Sequence, residues 1–379
     1  MNWIRDVSNF LNVIDNWMNL SYFEAIDLIK SKDQVELLTS GSVHLSPFTN
    51  IDQYNLGGLQ PLHYAIQTKN HLAIDWLLSH ENVRVDAVTE IESWNSAHCA
   101  VKAGDSKTLE KLVKVGVNLN AIDTNNLTPL AYAESDLGAE KWLEYLEINS
   151  INFKTQLGPN KRTYFHYFAK DSTKSLLDYV IKMDIDNINK ADISGTTPLM
   201  LAAEAGEFEA LWKLLSNGAK YDILDGEGRS ALQRAAAAGQ TKACQILLYD
   251  PNVLPSDQVN DNEEYYTEVY DAPIERIKAQ ALLFIQDKQD LTPLMAAVLN
   301  GHTETVRILA KENSNHLDLK QEQSGDTALH LAVSINSTEI VSILLDSGAY
   351  PDPLNKSGKK PSDLAQDDSE IFDLFIDPV

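Results

Sequence analysis

The most constraining feature of this chain is a phrase that returns. "ISGTTPLMLAAEAG", residues 193–206, comes back with changes at intervals close to 33 residues. In it Thr197 stands directly before Pro198. A threonine hydroxyl can accept from the free N–H groups of a helix's first turn. Proline suits the first helical position, because an N–H there would have no partner. Gly195 permits the tight turn into the cap. Leu199, Leu201, Ala202 and Ala203 then supply a short apolar helix of strong formers, and Gly206 ends it. Two turns of helix are not stable alone, so the phrase implies neighbours.

With the proline position as marker, the series runs Pro61, Ser96, Pro129, Tyr164, Pro198, Ala231, Pro293, Ala328 and Pro361. The steps are 35, 33, 35, 34, 33, 62, 35 and 33 residues. Sixteen and seventeen residues past the marker comes an apolar doublet: Leu77-Leu78, Leu112-Val113, Val180-Ile181, Leu214-Leu215, Leu247-Leu248 and Leu344-Leu345. A second helix at constant distance is implied. A small-residue turn follows at Gly116-Val117, Gly218-Ala219 and Gly348-Ala349. Fixed-period self-similarity of this kind marks a stacked repeat architecture.

A unit reading D-x-x-G-x-T-P-L-H-x-A-A, then a helix ending L-L-x-x-G-A, resembles the ankyrin repeat. The best copies are 192–225 and 324–352, and the resemblance spans about residues 51–375. The second copy (Asn95-Ser96-Ala97-His98), the fourth (Thr163-Tyr164-Phe165-His166) and the last depart most from the pattern. The resemblance implies an all-α ankyrin-repeat solenoid of about nine helix-turn-helix units with an N-terminal helical cap. Each unit of such a stack contacts only its neighbours. The expected divisions are a cap at 1–50, repeats one to six at 51–250, an acidic Tyr-rich insertion with a helix or a degenerate repeat at 251–286, and repeats with a C-terminal cap at 287–379.

Two segments fall outside the period. Trp3, Ile4, Val7, Phe10, Leu11, Ile14, Trp17 and Met18 recur at helical spacing. Ser21-x-x-Glu24 and Asp33-x-x-Glu36 read as further helix starts. These helices read either as a cover for the apolar end of the stack or as a separate interaction element through Trp3 and Trp17. The 62-residue step contains one repeat and extra chain beginning at Pro251, with six acids and no base between Pro251 and Asp271. Glu263, Glu264, Tyr265, Tyr266 and Tyr270 lie there. Asp271 and Pro273 look like the start of a helix to about Ile285, with Ile274, Ile277, Ala281 and Leu282 as its apolar stripe.

No catalytic or metal constellation is legible. His63, His98, His166 and His330 occupy the repeat's own histidine position, where an imidazole bridges turn backbone, and His302 is also a repeat position. His44, His71, His80 and His316 lack metal-ligand spacing. Cys99 and His98 are neighbours that point about 100° apart on a helix. "GEGRSA" at 226–231 lies in repeat register with no preceding strand. No metal and no cofactor is expected. Two cysteines make no disulfide framework, the start lacks a secretory signal's apolar core, and no run suits a membrane span. A reducing, cytoplasmic location follows as an expectation, and a monomer.

Thirty-one basic against fifty-five acidic residues give a net charge of −24 and a pI near 4.6. Phosphate backbones attract Lys/Arg-rich faces, so nucleic acid and anionic membranes fit poorly and a protein partner with a basic surface fits well. By the family resemblance, partner contacts fall on variable turn and first-helix positions: Thr124, Asn125, Leu127, Ile193, Ser194, Thr196, Glu204, Glu227, Arg229, Lys288, Gln289 and Leu291. Of these, Leu127, Ile193 and Leu291 are the apolar candidates. The tail "SDLAQDDSEIFDLFIDPV" reads as a polar cap with Ile371, Phe372 and Phe375 packed inward. Its last residues resemble a PDZ ligand. Its acidic–apolar composition also resembles the translocation signals of type IV effectors of intracellular bacteria, which would place the chain in a host cytosol. The alternative to a binding scaffold is an enzyme with its site in the degenerate fourth repeat or the insertion.

Overall fold

All nine marker residues prove to be the first residue of a helical element. The structure is a computed structural model, and it describes residues 26–27, 58–80, 83–133, 151–170, 174–248, 279–313, 316–365 and 370–376. First helices are α1 (Pro61–Gln67), α3 (Ser96–Lys102), α5 (Tyr164–Ala169), α7 (Pro198–Ala205), α9 (Ala231–Ala237), α11 (Pro293–Leu299) and α13 (Ala328–Ser334). In the third and ninth units the first element is a single 3-10 turn, Pro129–Tyr132 and Pro361–Leu364. Second helices are α2 (His71–Leu78), α4 (Ser106–Lys114), α6 (Lys174–Asp184), α8 (Phe208–Ser216), α10 (Thr241–Leu248), α12 (Thr303–Glu312) and α14 (Thr338–Asp346). Each apolar doublet lies in one of them. A last helix, α15, spans Glu370–Ile376. Among the described residues there is no strand, and the fold is all-α.

The opening phrase folds as its chemistry dictates. The Thr197 hydroxyl accepts the Met200 N–H, Pro198 takes the first helical position, and Gly206 closes α7 at φ +73°. From Pro198 to Ala203 every α7 residue is buried. A helix buried all round lies inside a stack. α7 packs on α5 and α9, and α9 in turn on α11. Alanines at 202, 203, 235 and 236 let these inner helices approach closely. Leu211, Leu214 and Leu247 are fully buried beneath the outer helices, each worth roughly 1.5–3 kcal/mol against exposure. At Gly195 (φ +78°) a Cβ would come within 2.7 Å of the Gly226 nitrogen in the following turn. The turns are therefore stacked as tightly as the helices.

The chain divides into two compact units, Met1–Pro159 and Asn160–Val379. In the first, α1 packs on α3 and α3 on the Pro129–Tyr132 turn. Ile26 is buried, and its carbonyl accepts the Asn70 side-chain amide. The remainder of the expected N-terminal cap, with Trp3 and Trp17, lies outside the described residues. In the second unit, α5, α7, α9, α11, α13 and the Pro361–Leu364 turn form the inner row, and α6, α8, α10, α12 and α14 the outer row.

The sixth and seventh repeats pack directly on each other. Lys288 N–H donates to the Glu227 carbonyl at 2.9 Å. His302 Nε2 lies 3.0 Å from the Ala237 carbonyl, and the Thr241 and Thr305 hydroxyls are 2.8 Å apart. Glu263, Glu264, Tyr265, Tyr266, Tyr270, Ile274 and Ile277 lie outside the described residues. The described end of the expected helix is a 3-10 segment, Ala279–Phe284. Its tighter winding buries Leu282 and Leu283 and leaves Ala281, expected in the apolar stripe, exposed. In the tail, Ile371 is buried and Phe375 half-buried. Phe372 is 40 % exposed, correcting its expected inward packing. Residues 371 and 375 share a helix face, whereas 372 points about 100° away.

Candidate partner-binding surface

The turns of the third, fifth, sixth, seventh and ninth units share one hydrogen-bond plan. An aspartate six residues before the marker accepts two backbone N–H groups on one oxygen. Asp123 Oδ1 accepts from Asn125 and Leu127, and Asp192 Oδ1 from Ser194 and Thr196. Asp225 Oδ1 accepts from Glu227 and Arg229, and Asp287 Oδ1 from Gln289 and Leu291. Asn355 does the same in the ninth unit. Successive turns are tied by their backbones: Thr124 N–H to the Glu92 carbonyl, Ile193 to Asn160, Gly226 to Ser194, and Lys356 to Ser324. With the backbone consumed, the side chains are what the turns offer a partner.

The repeat histidines join one repeat to the next. His98 Nδ1 accepts the Asn95 N–H at 3.2 Å, and Nε2–H donates to the Leu127 carbonyl at 3.1 Å. His63 reaches the Ala87 carbonyl, His166 that of Thr196 and His330 that of Lys359. Burial pushes the His63 pKa down to about 4 and lowers those of His98 and His166. The sixth repeat uses glutamine instead: Gln233 Nε2 donates to the Leu291 carbonyl at 2.6 Å.

This plan sorts the expected contact residues. Thr124, Asn125, Ser194, Glu227, Lys288 and Gln289 are exposed, and Ile193 is 62 % exposed. Glu204 is exposed and paired with Arg234 at 2.6 Å. Four of the expected contact residues are less exposed than such a position implies. Leu127 and Leu291 are half-buried, because they sit two residues before the marker, where N–H binds the aspartate and the carbonyl takes the preceding repeat's side chain. Ile193 sits five before it, at the outer tip. Thr196, also two before the marker, is buried, and its hydroxyl accepts Arg234 Nη2 at 3.0 Å. Arg229 is half-buried and bound to Asp225 at 3.0 Å.

The outer oxygen of each turn aspartate is the variable half, and sequence inspection missed what serves it. Trp94 Nε1–H donates to Asp123 Oδ2 at 3.1 Å, and the Tyr132 hydroxyl donates to the same oxygen. Burial and that bond push the Tyr132 pKa up to about 12. Arg162 Nε binds Asp192 Oδ2 at 3.1 Å. Asp225 Oδ2 takes Arg229 Nε at 3.0 Å and Arg234 Nη2 at 2.7 Å. Burial pushes the Asp225 carboxyl up, but the hydrogen bonds and the two guanidinium charges outweigh it and hold the pKa below the usual range. Register was the available signal: Trp94 and Arg162 stand two before their markers, and Tyr132 and Arg234 three after.

His166, at the centre of the enzyme alternative, is fully buried and bonded within the stack. Cys99 and Cys244 are free and buried, and burial pushes both thiols up to about 12, disfavouring the thiolate. Among the described residues no three His, Cys, Asp or Glu side chains converge as a metal site, and no helix is long and apolar enough to cross a membrane. A shallow groove of about 370 Å³ is lined by Arg307, Lys311, Ile343, Asp346 and Ser347 of the outer helices.

Paired helices with stacked, internally bonded turns define a helical repeat protein. The family model for ankyrin repeats (3 copies) matches residues 25–123, 62–156, 137–225, 165–257 and 275–355, and the chain belongs to the ankyrin-repeat family. It is similar to an L-asparaginase of Dirofilaria immitis, 32 % identical over 167 residues, which are 40 % of this chain and 26 % of that protein. It is 25 % identical over 201 residues to the nuclear factor NF-kappa-B p105 subunit of Gallus gallus, covering 52 % of this chain and 18 % of that protein. With the ankyrin repeat and KH domain-containing protein mask-1 of Caenorhabditis elegans it shares 31 % over 179 residues, 45 % of this chain and 7 % of that protein. The chain thus spans about a quarter or less of these relatives.

Proposed function

We propose that this chain is a protein-binding scaffold that grips one partner through the turn tips and inner helix faces of its stack, with no reaction centre of its own. The observation that carries the reading is the division of labour in the turns. Their backbone groups are spent on the aspartates and on neighbouring turns, while Thr124, Asn125, Ile193, Ser194, Glu227, Lys288 and Gln289 stay exposed. An exposed isoleucine at a rigid tip is available as contact area. Ile193→Asp is expected to reduce capture of the partner from a eukaryotic lysate without changing the melting temperature. Capture equal to wild type would remove the tips from the interface.

A basic partner surface, a monomeric state and a cytoplasmic location belong to the same proposal. Much of the excess acid falls in 1–57, 134–150, 249–278 and 366–379. Deleting 256–270 is therefore expected to flatten the salt dependence of partner binding, and an unaltered slope would argue against it. The acidic–apolar tail from Ser362 to Val379 is what supports a bacterial effector acting on host proteins. A translocation reporter fused to it, with and without the last eighteen residues, tests that role.

A further inference from the structure

We propose that the turns of the second and third repeats carry the scaffold's anchor point: a site for an arginine side chain on an extended basic segment of the partner, formed by Trp94, Tyr132 and Glu92, with the buried Asp123 holding the two rings in place. The inference rests on the scaffold reading and specifies where, and with what chemistry, it operates.

The Trp94 ring is fixed before any partner arrives. Its backbone N–H donates to Thr89 Oγ1 at 3.0 Å, and its indole N–H donates to Asp123 at 3.1 Å. Tyr132 meets it edge to face at 5.0 Å, and His98 lies parallel to it at 6.4 Å. Trp94 is still only half-buried. A held aromatic face loses little entropy on binding, and tryptophan is enriched among residues that dominate interfaces. Glu92 stands beside it, half-buried, with Oε2 accepting the Thr89 hydroxyl at 3.3 Å. Glu90 is exposed two residues earlier.

The Asp192 and Asp225 turns show what is absent here. At the register position of Trp94 the Asp192 turn has Arg162, and at the position of Tyr132 the Asp225 turn has Arg234. There the chain's own guanidinium groups occupy the carboxylate. Around Asp123 two aromatic side chains take those places, and within the described turns 83–95 and 117–128 the one basic residue is Arg84. An aromatic face with a flanking carboxylate is complementary to a planar guanidinium, which can stack on the ring and pair with the acid. Ile91, 67 % exposed, and Ile122, 54 % exposed, belong to the same two turns and offer apolar area to aliphatic neighbours of that arginine. A segment alternating basic and aliphatic residues fits this set.

The test is calorimetry of the full chain with a short peptide alternating arginine and leucine, at low salt. Binding is expected, with loss when glutamine replaces arginine in the peptide. Trp94→Ala is expected to weaken it about tenfold or more, Trp94→Phe less, because a ring remains. Glu92→Gln, which leaves ring and fold in place, is expected to weaken it and to reduce its salt dependence. The anchor is overturned if the wild-type chain does not bind the peptide, or if both Trp94→Ala, shown folded by its melting curve, and Glu92→Gln bind as wild type. Peptide binding lost only with Ile193→Asp would likewise overturn the anchor while leaving the scaffold reading intact.

Discussion

The turn at Asp123 and the turn at Asp225 have the same backbone and opposite chemistry. In both, one carboxylate oxygen holds two backbone N–H groups of the turn. In the first, the other oxygen is met by an indole and a phenol. In the second it is met by two guanidinium groups, one of which also binds Glu204 and Thr196 in the preceding repeat. The repeat specifies the inner oxygen and leaves the outer one free to vary. Aromatic donors leave a half-exposed hydrophobic platform, whereas arginines close the position with an internal network.

The sharpest way to break that comparison is to neutralise both aspartates. Asparagine keeps the oxygen that accepts the backbone N–H groups and removes the charge. Asp225→Asn removes the carboxylate that Arg229 and Arg234 share, leaving Arg234 its bonds to Glu204 and Thr196, and should cost about 3 kcal/mol, at the upper end for hydrogen bonds to charged groups. Asp123→Asn sets an amide NH2 against the Trp94 indole N–H, while the Tyr132 hydroxyl can turn to accept from it, and should cost about 1 kcal/mol. Denaturant midpoints of the two variants check this. Equal losses would mean that the charge at Asp225 contributes no more than a neutral hydrogen bond.

The same contrast shows how far the sequence could be read. The helix starts were legible to the residue, because Pro, Ser, Thr and Asn act locally at a helix's first turn and the period repeats that signal. The internal role of the repeat histidines was legible for the same reason. The surface was harder. Whether Thr196 or Ile193 is exposed depends on a three-residue difference in register within one turn, and both look like turn residues in sequence. The platform at Trp94 needs Asp123 from the next repeat and Tyr132 beyond it, a pairing that only stacking creates.

Acid should separate the two turns again. The Asp123 turn receives His98 through the Leu127 carbonyl, whereas in the fifth repeat the histidine position before Asp225 is Met200. Burial lowers the His98 pKa, and that of His63 to about 4. Over that window the unfolded chain binds more protons than the folded one, so stability rises with pH up to about 6.5 and is lost as pH falls below it. Asp225 is shifted in the other sense for a carboxylate. Its contribution is complete above the ordinary carboxylate range and disappears only as pH falls through its lowered value. Residue-resolved hydrogen exchange at pH 5 and 7 should therefore show the turns joined by His63, His98 and His166 loosening in acid while the Asp225 turn holds. His98→Gln, which copies the amide donor that Gln233 supplies in the sixth repeat, should remove that dependence from the third repeat's turn and leave it in the turn that His63 joins. Exchange that loosens uniformly along the stack would contradict it.

The smallest expected effect isolates one bond of the platform. Tyr132→Phe keeps the ring that meets Trp94 at 5.0 Å and removes the hydroxyl that donates to Asp123. Asp123 retains Trp94 Nε1–H and both backbone N–H groups, so the loss should be about 0.5 kcal/mol, at the low end for a partly solvated hydrogen bond. Both rings of the platform stay in place. The arginine–leucine peptide should consequently bind the Tyr132→Phe chain at least as well as wild type, even though the chain itself melts slightly lower. Weaker peptide binding with an unchanged melt would show that the phenol contacts the partner directly, and that its hydrogen bond to Asp123 does not set the geometry of the platform.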